Sequence, residues 1–191
     1  MKKFFFLAAA FVGLTAFTTT VSTWTNDPAH SQMAFTVTHL GIADISGTFN
    51  DFKVTVNSTK SDFSDASFEL TAKTASIDTS VEARNKHLKS ADFFNVEKYE
   101  TLTFKSSGLK KSGKDGYKLT GDLTLHGVSK PVIMDLVYKG TVKNPMSKEQ
   151  TAGFHITGTI KRSDFSIGEK FPTAIISDEV QIKADGEFVA E

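Results

Sequence analysis

From residue 33 onward the chain alternates. Eight runs, at 33–39, 44–56, 66–77, 101–109, 117–126, 132–142, 153–162 and 179–188, are rich in Thr, Val, Ile and Phe and place apolar residues at every second position. That period belongs to a strand with one apolar face. Turn signals separate most runs: Leu40 and Gly41, Asn57 and Ser58, SGKDG at 112–116, Asn144 and Pro145. In the second run the parity shifts between Phe49 and Phe52, which predicts a bulge near Asn50 and Asp51. One segment breaks the pattern. TSVE at 79–82 fits a capping box with Thr79 as N-cap and Glu82 three residues on. Val81 and Leu88 share a helical face, so residues 80–90 read as a short helix, with DFF at 92–94 as a turn behind it. The expectation is an all-β fold: an eight-stranded antiparallel barrel with one short helical crossover, closed on itself so that no edge is left. A two-sheet sandwich is the competing architecture.

The first residues follow another rule. Lys2 and Lys3 precede an apolar run at 4–14, and small and hydroxyl residues continue to Ser22. This is the order of a secretory signal peptide, expected at 1–22 with its cut between Ala16 and Ser22. The run is shorter than the roughly 20 residues that span a bilayer, so no stable membrane span is expected. Residues 23–191 are then one domain, periplasmic or secreted. The chain has no cysteine, hence no disulfide and no lipid-modified cysteine. Without Lys2 and Lys3 it carries 20 basic against 22 acidic side chains. That balance, with no basic stripe, excludes a nucleic-acid footprint.

Five apolar rows each contain a glycine. Gly47 interrupts Ile45 and Phe49; Gly121 shares a face with Tyr117, Leu119, Leu123 and Leu125; Gly140 lies with Tyr138 and Val142. Gly158 stands between Ile156 and Ile160, and Gly186 between Ile182 and Phe188. Such glycines either let strands bend at barrel corners or leave a lumen for an apolar ligand; the two are compatible. The lumen reading assigns Phe35, Val37, Gly47, Leu70, Leu119, Gly121, Leu123, Ile156, Gly158, Ile160 and Ile182 to the wall. His39 ends one inward row and Arg162 another, and Arg84 and His87 lie on the short helix. Antiparallel order brings these four to one end, where basic groups suit the mouth of a pocket and an anionic head group. Plainer roles remain open: an ion pair of Arg162 with Asp164, Asp178 or Glu179, a solvated helix face for Arg84, and a backbone-bonded half-buried His39.

Catalytic and metal motifs are missing from the sequence. No histidine pair has the helical spacing of a zinc site, and there is no nucleophile elbow and no phosphate-binding glycine loop. Asp27, His30 and Ser31 are triad residue types in a row, but a turn capped by Asp and Ser around Pro28 explains them better. His126 and His155 fall on polar parity and read as surface or loop residues. No catalytic residue, metal ligand or cofactor is assigned.

Several motifs in their order resemble one family. These are WTNDPAHS at 24–31, FTVTH at 35–39, GTF at 47–49, SIDT at 76–79 and RNKHLKSADFF at 84–94. GDLTLHGVSKPV at 121–132, RSDF at 162–165 and DEV at 178–180 complete the set. Together the chain, from Trp24 to Phe188, resembles the YceI-like family of exported polyisoprenoid-binding proteins. The resemblance implies a lipocalin-like barrel with a long cavity for an isoprenoid chain, either a prenyl phosphate or quinone-like lipid. The expected role is a carrier, store or scavenger that binds this or another long apolar small molecule, as a monomer or a dimer. A lipid-modifying hydrolase or isomerase is the alternative, and a filled barrel that only contacts other envelope proteins is a third. Asn85 stands where the family often has Asp, Glu100 where Pro is usual, and Ser166 where Gly is usual.

Overall fold

The computed structural model describes residues 20–191. The expected leader, residues 1–22, therefore lies almost wholly outside the described residues. Ten strands form one antiparallel sheet: β1 (Ser22–His39), β2 (Ala43–Phe49), β3 (Phe52–Ser58), β4 (Ser67–Lys73), β5 (Ile77–Asp78), β6 (Thr101–Lys111), β7 (Gly116–Leu125), β8 (Val128–Lys143), β9 (Gln150–Lys161) and β10 (Glu179–Ala190). The sheet runs β10-β9-β8-β7-β6-β4-β3-β1 and closes when β10 pairs with β1. That makes an eight-stranded barrel. β2 and β3 are one stave, broken at Asn50 and Asp51 where the parity shifts: β2 pairs with the C-terminal part of β1 and β3 with its start. β5 adds two residues to the outer edge of β2. No described helix is long and apolar enough to cross a membrane.

Two local expectations are corrected. The first strand begins at Ser22, eleven residues before the alternation does. Its register against β10 breaks between Asn26 and Ser31, so residues 27–30 form a bulge and not a separate turn. There Asp27 accepts from the Ala29 amide at 2.8 Å and from His30 Nδ1 at 2.7 Å. Asn26 is buried where β1 leaves β3, and its Oδ1 takes the Val54 amide at 2.7 Å. The second correction is the helix. α1 (Glu82–Lys89) has Val81 at its N-cap with no side-chain cap. The Thr79 hydroxyl donates instead to Asn85 Oδ1 at 2.6 Å, and Asn85 Nδ2 donates to Asp78 at 2.8 Å. The Asn85 amide can donate to that carboxylate, whereas an aspartate there would repel it.

The interior divides in two. Trp24, Val56, Phe63, Phe68, Tyr117, Leu119, Leu136, Phe154 and Phe188 fill one end. Phe63, on the loop between β3 and β4, is 2 % exposed and packs its ring 5.2 Å from Trp24 and 5.1 Å from Tyr138 and Phe154. The other end, under α1 and the loop after β9, holds a second cluster that includes Phe49, Phe93, Phe94, Phe165 and Ile167.

Candidate functional site

That second end is hollow. A cavity of about 490 Å³ runs into the barrel; among the described residues its lining is apolar except for His39, Thr79, Arg84, His87 and Arg162. None is a carboxylate. Phe35, Val37, Leu70, Leu119, Leu123, Ile156, Ile160 and Ile182 all face it, one parity per strand. Exposed lining residues occur at one end only, at His39, His87 and Ile175, so the opening lies there.

The glycines have a different part from the one read in the sequence. Gly47, Gly121 and Gly158 are not in the lining. A Cβ at Gly47 would sit 2.5 Å from the Phe35 ring, at Gly121 2.5 Å from the Phe104 ring, and at Gly158 2.0 Å from Met134 Sδ. Each glycine is the seat of a side chain from the neighbouring strand. Phe35, Phe104 and Met134 themselves line the cavity. The lumen is thus widened indirectly, because a large side chain lies flat over a glycine and does not project inward. Gly140 is different again: it sits in the β8–β9 bulge with φ +117, a conformation that L side chains rarely adopt.

His39, Arg84, His87 and Arg162 all line the cavity, but not as equals. Arg162 is 7 % exposed and lies at the head of the loop that returns to β10. Its Nε donates to the Ser177 carbonyl at 3.1 Å. Nη1 donates to Ile167 and Gly168 at 3.0 and 2.7 Å, and Nη2 to Phe171 and Ile176 at 2.6 and 3.1 Å. All five N–H donors are used, all on backbone carbonyls. Arg162 therefore neither grips a head group nor pairs with Asp164, Asp178 or Glu179; it holds the loop 167–177 in shape. Gly168, at φ +64, comes so near that a Cβ would lie 3.4 Å from Arg162 Nη1 and 2.8 Å from Phe93. Ser166, also left-handed at φ +53, explains the glycine usual at that position in the resembling sequences.

Arg84 is the freer cation. Nε donates to the Thr79 hydroxyl and Nη2 to the Thr79 carbonyl, each at 2.8 Å, which leaves Nη1 with no partner among the described residues. It is half-buried and faces the lumen from α1. One turn later His87 Nε2 lies 3.3 Å from Asp92 Oδ2, and its ring meets Phe93 and Phe171 edge-on at 5.0 and 5.6 Å. Asp92 also takes Lys170 Nζ at 2.6 Å; that bond first, then His87, holds its carboxyl below the usual range. His39 is exposed, and its backbone bridges to Ile176 while Leu40 N donates to the Ile175 carbonyl at 2.9 Å. The loop is thereby tied to the end of β1.

Sequence reasoning missed Phe104, Met134, Phe171 and Ile176, all in the lining. Phe104 and Met134 were within reach, since they hold the inward parity of their runs. Phe171 and Ile176 lie in a segment with no periodicity. His126 is a loop residue, in the turn between β7 and β8, where its ring packs 4.5 Å from Tyr99 and Nδ1 lies 3.1 Å from the Phe165 carbonyl. His155 pairs with Asp185 at 2.5 Å. Among the described residues one cluster has the make-up of a metal site, Asp27, His30 and Glu187 at the β1 bulge, and none of the three is in the cavity lining. Among the described residues the lumen lining places no nucleophile against a base, and an apolar cavity with a basic rim is the arrangement of a binding site.

Comparison with known proteins agrees with this geometry. A UPF0312 protein of Staphylococcus aureus is 35 % identical over 170 residues, 89 % of this chain and 95 % of that protein. The crystal structure of Burkholderia cenocepacia BcnA matches with a TM-score of 0.74 at 28 % identity, over 85 % of this chain and 98 % of the other. The Campylobacter jejuni YceI protein matches with a TM-score of 0.72 at 31 % identity, over 80 % and 88 %. A polyisoprenoid binding domain from Saccharophagus degradans, at 16 % identity and a TM-score of 0.64, shares the fold over 90 % of this chain and 100 % of its own. The family model of the YceI-like domain covers residues 24–188, and the chain belongs to that family.

Proposed function

We propose that this protein is an exported lipid-binding protein. It holds the apolar chain of an isoprenoid, a prenyl phosphate or a quinone-like lipid, in the lumen and leaves the head group at the rim. One observation carries the reading: a deep apolar cavity in which, among the described residues, the charged or chargeable lining side chains are all basic. Burial of each methylene contributes about 0.8 kcal/mol before ordering costs, so the tail supplies most of the affinity. Polyisoprenoid binding in the Saccharophagus degradans domain is in keeping with this reading, although the likeness to it is one of fold. Export is supported by Lys2, Lys3 and the apolar run at 4–14. The protein then acts as carrier, store or scavenger in the periplasm or outside the cell.

Native mass spectrometry of the gently purified protein is the test. A bound isoprenoid released on activation is the expected result, on a chain whose mass fixes the cut between residues 16 and 22. Protein that is lipid-free, and that takes up no prenyl lipid when offered one, would overturn the reading.

A further inference from the structure

Two pieces of chain meet beside the cavity opening and expose apolar side chains there. One is the β1–β2 turn, His39 to Ala43; the other is the loop Phe171 to Ser177. Leu40 N donates to the Ile175 carbonyl and Ser177 N to the Thr38 carbonyl, each at 2.9 Å, and His39 bridges to Ile176, so the two lie side by side. Leu40 is 54 % exposed, Ile42 86 % and Ile175 39 %, and Pro172 and Ala174 are exposed on the same loop as Ile175. Neither segment carries an Asp, Glu, Lys or Arg. The turn also holds its leucine against local preference. Leu40 and Gly41 are both left-handed, at φ +51 and +69, and Ile42 N donates back to the His39 carbonyl at 3.1 Å. Asn-Gly suits such a backbone, whereas a leucine there is strained, and this one faces water more than it packs.

We infer that this patch docks the protein on a lipid bilayer, with Leu40 and Ile42 entering among the acyl chains; the inference rests on the lumen being a lipid site. Continuity with the lumen points to that occupant. Ile175 is exposed in the patch and lines the cavity, as do its neighbours His39, Phe171 and Ile176. A tail that crossed water to reach the lumen would expose every methylene. Across this patch it passes from one apolar phase into another. Ile42 rests on almost nothing of its own chain, which suits a wedge into a soft interface better than a flat seat on a folded partner. Because the two segments carry no Asp, Glu, Lys or Arg, attachment comes from apolar burial and not from attraction to anionic head groups.

The test uses the protein purified after export, with vesicles of phosphatidylcholine alone and of phosphatidylcholine mixed with phosphatidylglycerol. Flotation should recover the protein with both, and added salt should change the bound fraction less than about twofold. Leu40→Asn combined with Ile42→Ser should lower vesicle affinity at least about tenfold. It should slow transfer of a prenyl alcohol from donor to acceptor vesicles by a similar factor and leave uptake of that alcohol from detergent unchanged. Urea unfolding should find the double variant no less stable, since asparagine tolerates the left-handed position. In Ile42→Trp the added indole should shift its emission to the blue on vesicles, while Trp24, buried at the filled end, gives a constant background. Protein that takes up the alcohol but ignores vesicles, or a double variant that binds them as tightly as the parent, would overturn the docking and leave the lumen reading intact. Binding to the anionic vesicles alone, lost in salt, would overturn it too, as would self-association of the parent, abolished in the double variant, in place of vesicle binding. Protein that takes up no alcohol from detergent would overturn the lumen reading and this inference with it.

Discussion

At one end of the barrel Phe63 pushes its ring among Trp24, Tyr138 and Phe154; at the other, Phe35 and Phe104 lie back against Gly47 and Gly121. The residue type is the same and the outcome is opposite. A phenylalanine that meets another large side chain fills space, and one that meets a glycine on the adjacent strand makes it. Hollowness in this barrel is a property of cross-strand pairs and of no single residue. The filled end supplies the packing that the hollow end forgoes, and a barrel without cysteine has no other staple.

The largest expected contrast is in stability. Phe63→Ala removes a ring that is packed on all sides and should cost about 3 to 5 kcal/mol. Phe35→Ala only enlarges an existing void and should cost roughly half as much. Urea unfolding of the ligand-free proteins measures both, and equal costs would erase the distinction between the two ends.

Next comes a contrast within the mouth. Arg162→Gln strands up to five loop carbonyls and should cost about 2 to 4 kcal/mol of stability, with equal losses of affinity for a prenyl phosphate and its alcohol. Arg84→Gln gives up two hydrogen bonds to the buried Thr79 and should cost about 1 kcal/mol, less than Arg162→Gln. It should weaken the phosphate by about 1.5 to 3 kcal/mol, as a charge-assisted hydrogen bond would, and leave the alcohol unchanged. Calorimetric titration of both ligands sharpens the comparison between an arginine that builds the rim and one that reads the ligand.

The smallest effect concerns acid at the filled end. Asp65 lies on the loop that carries Phe63. Burial alone would raise its pKa, but hydrogen bonds from the Ser58 and Thr59 hydroxyls and the Thr59 amide outweigh that and hold it at about 2. Because the folded carboxyl binds its proton more weakly than the unfolded chain's, at 3.8, its stabilisation is full above pH 3.8. It drains away as the pH falls toward about 2. The group is exposed, so the change should stay below about 1 kcal/mol. Asp65→Asn should flatten the stability profile between pH 5 and pH 2 by about that amount.

The strands were legible because alternation is a one-dimensional signal: the inward parity of 33–39, 117–126 and 153–162 names the interior residues, although Tyr117 and Phe154 fill the packed end and only the others besides the glycines line the lumen. The start of β1 was not legible, since the 27–30 bulge and Pro28 scramble the period. Arg162 shows a deeper limit. Its row position puts it on the inward face, where it lines the cavity, yet its chemistry is set by five carbonyls from a loop without periodicity. The glycines show a third limit. A gap in one strand does not reveal whether its neighbour fills the gap, because the answer lies in the register of two strands.

Closure by β1 and β10 has a consequence in time. Trp24 pairs with Ala190, and Thr25 Oγ1 donates to Glu191 at 2.6 Å, so the first strand's partner lies about 166 residues further along the chain. At roughly 5 to 20 residues per second, about ten to thirty seconds of synthesis separate the two. Contacts this distant in sequence also form slowly. Throughout, one side of β1 is an unpaired edge, the template on which other chains aggregate. The bulge at 27–30 interrupts that edge, and Pro28 removes an amide donor from it. Before it is part of a finished barrel, this short kink guards a strand that has to wait.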